Sequence, residues 1–277
     1  MSAVLDIPVL AERAQRQRSW RRNAGFGVML TVAAFAIAGP ALVGIDPAVQ
    51  TLSDTLAPPG PGDWLGKDVL GRSALARLAY AAQLSLGLAL LSAVTAAVPG
   101  VLLGIAASWC GGRLDRALAL LADAVLSVPG LLLVLLFAAI APGRHWALYV
   151  GLSLSLWVEY FRVSRAAARS VLHSDAVQAS GLLGFGPAHI LARHLLPALM
   201  PVLATLLAFS AAQAVLALAA LGFIGVGLQP PAPELGLMMI ESLPYYDEAP
   251  WLIAAPVVLL MLLVLGMTLL AGDGDTA

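Results

Sequence analysis

Six long apolar runs organise the chain, at residues 24–43, 84–108, 117–141, 146–158, 198–221 and 251–271. Apolar residues follow one another within them without the alternation of a membrane β-strand, so a β-barrel is not the expected class. Most runs reach the ~20 residues that a helix needs to cross a bilayer. The run at 146–158 is shorter and is expected to extend past Glu159. The pattern predicts an all-α membrane protein with about six transmembrane helices.

This divides the chain into a basic N-terminal segment (1–23), a first helix (24–45), a segment on the far side of the membrane (46–83), a core with five further helices (84–271) and a short tail (272–277). Within the core, 175–197 is neither span nor plain linker. Asp175 is the expected N-cap of a short helix, and Gly184-Phe185-Gly186-Pro187 forces a turn, because glycine allows positive φ and proline starts a helix. A second short helix follows, and Pro197 marks the return into the membrane. A bent element of this kind, with Phe185 at its bend, suits docking to another protein.

Composition agrees with the bilayer as solvent: 60% of the 277 residues are hydrophobic and 11% charged, against about a quarter charged in soluble domains. The single cysteine, Cys110, has no intrachain partner and is expected near a helix end. Ala36-Ile37-Ala38 resembles a signal-peptidase site, but the run before it is longer than a signal peptide's apolar region, and an uncleaved helix is the preferred reading.

Charge then assigns the sides. With the N-terminus inside, the inner segments hold Arg13, Arg16, Arg18, Arg21, Arg22, Arg113, Arg116, Arg162, Arg165, Arg169 and Arg193, and the outer ones Lys67, Arg72, Arg77 and Arg144, which is 11 against 4 of the 15 Lys+Arg. The positive-inside rule places both termini in the cytoplasm. The loop at 222–250 carries Glu234, Glu241, Asp247 and Glu248 with no basic residue, and is expected outside. Pro99, Gly100, Gly104, Pro129, Pro201 and Pro256 lie inside runs. Gly100-x-x-x-Gly104 would let two helix backbones approach closely. Bending of the helices and the ordinary frequency of such residues in membrane helices remain equal alternatives.

Candidate chemistry is sparse. The string from Gly62 to Asp68 lacks the spacing and hydroxyl of a P-loop. His189 and His194, five apart, fall on different helix faces, so no metal site is expected. No G-x-S-x-G occurs. Asp123, about two turns into the third run, and Gln213, in the fifth, are the candidates for lining a translocation path. The alternative for Asp123 is a bond to a neighbouring helix near the membrane interface. Glu159 is expected in a surface pair with Arg162.

Motifs carry the argument further. Gln178-Ala179-Ser180, Gly184, Ile190 and Leu196-Pro197 resemble the EAA loop of ABC importer permeases, with Gln178 in place of the glutamate. The stretch from Trp64 to Leu86 is similar, at Trp64, Gly66, Asp68, Gly71, Arg72, Arg77, Tyr80 and Ser85, to the second permease of dipeptide, oligopeptide and nickel importers. Gly111-Gly112 with Asp115, Asp123 and Pro129, then Trp157, Tyr160, Arg162 and Arg165, then Arg193-His194, match that group in order, as does the stretch from Leu221 to Gly236. The sequence departs from it at Leu120, Ala198, Leu218 and Leu235, and in its short tail.

The resemblance implies a type I importer permease fold with a cytoplasmic coupling helix, in the bacterial inner membrane. It implies as partners a homologous second permease, two ATP-binding subunits, an extracytoplasmic solute-binding protein and membrane lipid, with no role for nucleic acid. This chain would bind no cofactor itself, ATP and Mg being held by the ATPases, and would catalyse no reaction. Gln178, Ala179, Ser180, Gly184, Phe185, Ile190, Arg193, His194 and Pro197 would contact the ATPase. The implied substrate is a di- or oligopeptide, with nickel or a metal chelate as the alternative. Two other classes would differ observably: a secondary transporter by inverted repeats with coupling-ion residues at the midplane, and a membrane enzyme by a clustered acid–base or nucleophile site.

Overall fold

The computed structural model describes residues 7–272, and every regular element in it is helical. The elements are α1 (Ile7–Val43), α2 (Ala74–Cys110), α3 (Gly112–Leu126), α4 (Gly130–Ile140), α5 (His145–Leu172), α6 (Asp175–Leu182), α7 (Pro187–Ile190), α8 (Leu196–Phe223), α9 (Leu235–Ser242) and α10 (Trp251–Ala271). A π-helical turn, Leu191–Leu195, joins α7 to α8. The expected tail at 272–277 and the first six residues of the N-terminal segment lie outside the described residues, apart from Gly272.

Four stretches are long and apolar enough to span a membrane: Trp20–Val43, Ala74–Cys110, Pro187–Phe223 and Trp251–Ala271. The expected third span is not one helix. It breaks into α3 and α4 across Ser127-Val128-Pro129 with a bend of 72°, and counts as a fifth span only if the pair is taken together. Proline has no N–H to continue the ladder of α3, and it stands instead as the N-cap residue of α4. The fourth expected helix is α5. Its 28 residues give about 42 Å of length, but the charges from Glu159 onward lower its apolar content.

Several boundaries also move. The basic N-terminal segment is not separate from the first span: α1 runs without interruption from Ile7 through its arginines. Helix α2 starts ten residues before the expected 84, capped by Ser73, whose side chain accepts from the Ala76 N–H. Arg77 hid that start, because a charged residue reads as an end of an apolar run until its partners are known. Cys110 is the last residue of α2 and is exposed.

The core is a stack of helices around α2. Ala82, Ala89, Ala93, Ala96, Gly100, Gly104 and Ala107 of α2 are all buried, a stripe of small residues at helical spacing. Against it lie Leu156, Trp157, Tyr160, Phe161 and Ser164 of α5. A Cβ on Gly100 would stand 2.6 Å from the Trp157 carbonyl oxygen, and one on Gly104 2.0 Å from Ser164 Oγ. The glycine pair thus serves close helix packing. Helix α8 lies against α2, α5 and α10, while α1 lies against α2 and α10.

The bundle has two distinct ends. Ile105 near the end of α2, Ala168 of α5, Leu191, Leu195 and Leu199 form one apolar cluster under the α6–α7 segment. Ala74 at the start of α2, Leu56, Ala249 and Leu252 form another at the opposite end.

Candidate functional site

The first candidate is the segment between α5 and α8. Ser174, not the expected Asp175, occupies the N-cap position of α6, its hydroxyl donating back to the Val171 carbonyl; Asp175 stands in the first turn, where its charge favours the helix N-terminus. The turn after α6 is made possible by Gly184, whose φ is +82°. Phe185 N–H returns to the Ser180 carbonyl at 3.1 Å and Gly184 N–H to Gly181 at 3.0 Å, closing the helix end in the manner of a left-handed cap. Pro187 starts α7, which has no independent end: it continues through the π turn into α8. Pro197 lies in the first turn of α8, directly after the π turn, where the helix continues unbroken.

What this geometry presents is an apolar tip. Leu182 is 90% exposed, Leu183 76% and Phe185 46%. The inner face of the segment is anchored: Val177 and Ser180 are buried, and Ser180 Oγ meets His194 Nε2 at 2.9 Å. His189 stacks on Phe185 with ring centroids 4.2 Å apart. Gln178 donates from Nε2 to the His173 carbonyl at 3.2 Å, and Arg193 stays exposed. Ala179 is exposed and Ile190 half-buried. The nine predicted segment residues thus split into an anchor and a presenting surface. No group of three metal-ligating side chains occurs among the described residues.

The charged residues near this end pair across helices. Asp115 accepts from Arg165 Nε at 2.5 Å and from Arg169 Nη2 at 2.8 Å. Asp123 accepts from Arg162 Nη2 at 2.5 Å, the interhelical bond that was one of its two readings. The expected Glu159–Arg162 pair is not made: Arg162 turns to Asp123 of α3, and Glu159 faces the same hollow as Gln213 of α8.

The opposite end holds a cluster that sequence reasoning placed on one side but did not assemble. Asp68 Oδ1 accepts the backbone N–H of Leu70 and Arg72, both at 2.9 Å, and its Oδ2 accepts from Arg72 Nε and Arg77 Nη1, both at 2.6 Å. Glu241 of α9 accepts from Arg77 Nη2 at 2.6 Å and Arg72 Nη2 at 3.2 Å. Asp68, Arg72 and Arg77 are buried. Burial by itself would raise the Asp68 carboxyl, but the Arg72 N–H and the Arg77 charge outweigh it and hold it below the usual carboxylate range. Glu234, 1% exposed, caps α9 by accepting the Leu237 N–H. Its acidic neighbour on α9, Glu241, was visible in the sequence, yet nothing there paired it with an arginine 164 residues earlier.

Residues 100–272 match the family described as "Binding-protein-dependent transport system inner membrane component". The di/tripeptide transport system permease protein DppC of Pseudomonas aeruginosa is 34% identical over 90% of this chain and 84% of its own length. The dipeptide transport system permease proteins DppC of Haemophilus influenzae and Bacillus subtilis are 30% and 28% identical, over 97% and 85% of this chain and 96% and 76% of theirs. With a family model matching residues 100–272 and relatives up to 34% identical, the chain belongs to the binding-protein-dependent transport system inner membrane component family, the membrane-embedded permeases of ABC importers.

Proposed function

We propose that the chain forms one half of the translocation path of an ATP-driven peptide importer. The observation that carries this is the apolar tip of Leu182, Leu183 and Phe185, held on an anchored bend at one end of the bundle. Such a tip is costly to leave in water, and apolar patches rimmed by polar groups mark protein contacts. In this reading it seats in an ATPase subunit through Gln178, Ala179, Phe185, Ile190 and Arg193, while Ser180 and His194 anchor the segment and Gly184 and Pro197 shape it. Closure of two ATPases around ATP and Mg then moves α6 against α5 and, through the π turn, pulls directly on α8. The chain itself makes and breaks no covalent bond.

The tip end faces the cytoplasm, with both termini. Arg113, Arg116, Arg162, Arg165, Arg169 and Arg193 gather there, against Lys67, Arg72 and Arg77 at the other end. That asymmetry suits the positive-inside rule in a bacterial inner membrane. A second, homologous permease completes the path, and a solute-binding protein delivers substrate at the end that holds α9. Peptide is preferred to nickel or a metal chelate because the relatives above are named as dipeptide and di/tripeptide permeases.

Affinity purification of the tagged chain from native membranes, with the co-purifying proteins identified by mass spectrometry, tests the assembly. A second permease and P-loop ATPases are expected. Recovery of the chain alone in a transport-active state would sink the importer reading.

A further inference from the structure

We infer that Glu159 is a substrate-contacting residue of the translocation path, its carboxylate accepting the ammonium group of a passing peptide. The inference rests on the peptide-importer reading above and assigns a residue that neither the motifs nor the path candidates named.

A cavity of about 250 Å³ lies between α4, α5 and α8. Its wall is apolar except for Ser155, Glu159 and Gln213. Ser155 and Glu159 are one turn apart on α5, and the same face continues through Arg162, Ala166 and Arg169. Those last three line the neighbouring cleft of about 470 Å³, which contains Asp123. A polar stripe thus runs along α5 past two consecutive hollows, while its other face, with Tyr160, Phe161, Ser164 and Ala168, is buried. Gly130 keeps the first hollow open, since a Cβ there would stand 2.3 Å from Ser155 Oγ.

The charges decide what the hollow takes. No cation lines it. Arg162, one turn further along α5, is engaged by Asp123. Gln213 faces the same hollow and brings no charge. A carboxylate turned to acyl chains is costly, so ionisable groups in a bundle face its interior or a water-filled path. That argument turns the Ser155–Glu159–Gln213 face away from lipid, towards the second half of the pathway. A bare metal ion would need several hard or imidazole ligands, and no group of three occurs among the described residues. An ammonium needs one acceptor charge and a neighbouring carbonyl or hydroxyl, which Glu159, Gln213 and Ser155 supply. It is also the feature that peptides share whatever their side chains.

The test uses the complete importer in lipid vesicles, with radiolabelled dialanine as probe and ATP hydrolysis measured in parallel. Glu159→Gln keeps the shape and removes the charge, so dialanine moved per ATP hydrolysed is expected to fall about tenfold. Glu159→Asp, which keeps the charge, is expected to retain more than half. Equal transport per ATP in Glu159→Gln and wild type overturns the inference and leaves the importer reading intact. Failure of Glu159→Gln to co-purify with its partners would assign the residue a structural role and overturn it too. A wild-type importer that hydrolyses ATP but accumulates no dialanine overturns the peptide reading, and this inference with it.

Discussion

Asp68 shows what a single residue can hold together in a chain this apolar. Its carboxylate takes four hydrogen bonds, two from backbone N–H groups and two from guanidinium groups that are themselves buried. Removing one member of such a set leaves uncompensated charge, which costs about 3–5 kcal/mol. Asp68→Asn is therefore expected to lower the thermal stability of the purified protein sharply, measured by unfolding in detergent. The pH dependence has a definite sign. Because the folded carboxyl lies below its ordinary value of 3.8, its contribution is full above that value and fades as pH falls through the lower, folded value. The stability gap between wild type and Asp68→Asn should be flat near neutrality and narrow below about pH 4. A gap that widened in acid would contradict this account. Asp68 and both arginines were visible in the motif from Trp64 to Leu86, but their partner Glu241 was legible only as one more acid in a loop, since pairing at that separation is set by packing.

Helices in this bundle owe their closeness to what they lack. Helix α2 meets α5 through alanine and glycine, and the small residues bring the backbones near enough for Ser108 Oγ to donate to the Arg165 carbonyl at 2.7 Å. Overpacking a tight contact typically costs 1–3 kcal/mol. Gly104→Val meets backbone as well as side chain, with the Phe161 carbonyl oxygen 2.7 Å from the new Cβ. It is expected to exceed about 3 kcal/mol, because the α5 backbone cannot yield as a flexible side chain does. A sharply lower melting temperature and yield would show it; wild-type stability would mean the interface is looser than described. The G-x-x-x-G spacing made this contact readable in advance. The break of the third run was not, because a proline in a membrane run is compatible both with a kinked helix and with two helices. The bend of 72° is settled by what α4 packs against, which is α5.

For the whole molecule the question is how one end of the bundle informs the rest. The exposed tip contributes little to the fold, since Leu182 and Leu183 are 90% and 76% exposed and belong to no core cluster. Leu182→Asp combined with Leu183→Asp should leave folding and melting temperature near wild type while reducing ATPase co-purification and peptide uptake at least tenfold. Retained uptake would show that the tip is not the docking surface. Gly184→Val acts differently: nothing lies within 4 Å of its Cβ position, so the penalty is the positive φ alone, of order 1–2 kcal/mol. It should weaken docking less than the double aspartate.

The sequence by itself determined that this is a helical membrane protein, where most spans lie and where the bent projecting segment begins. Those follow from run length and turn chemistry, which are local and survive without knowledge of neighbours. Only the tertiary structure decided the pairing of charges. Arg162 answers Asp123 rather than Glu159, Glu159 shares a hollow with Gln213, and Glu241 closes on Arg72 and Arg77. Each choice depends on how one helix is rotated against another, and that rotation is set by the small-residue stripe of α2 and its neighbours together. A partner chosen across helices is a property of the packed bundle, and no window along the chain contains it.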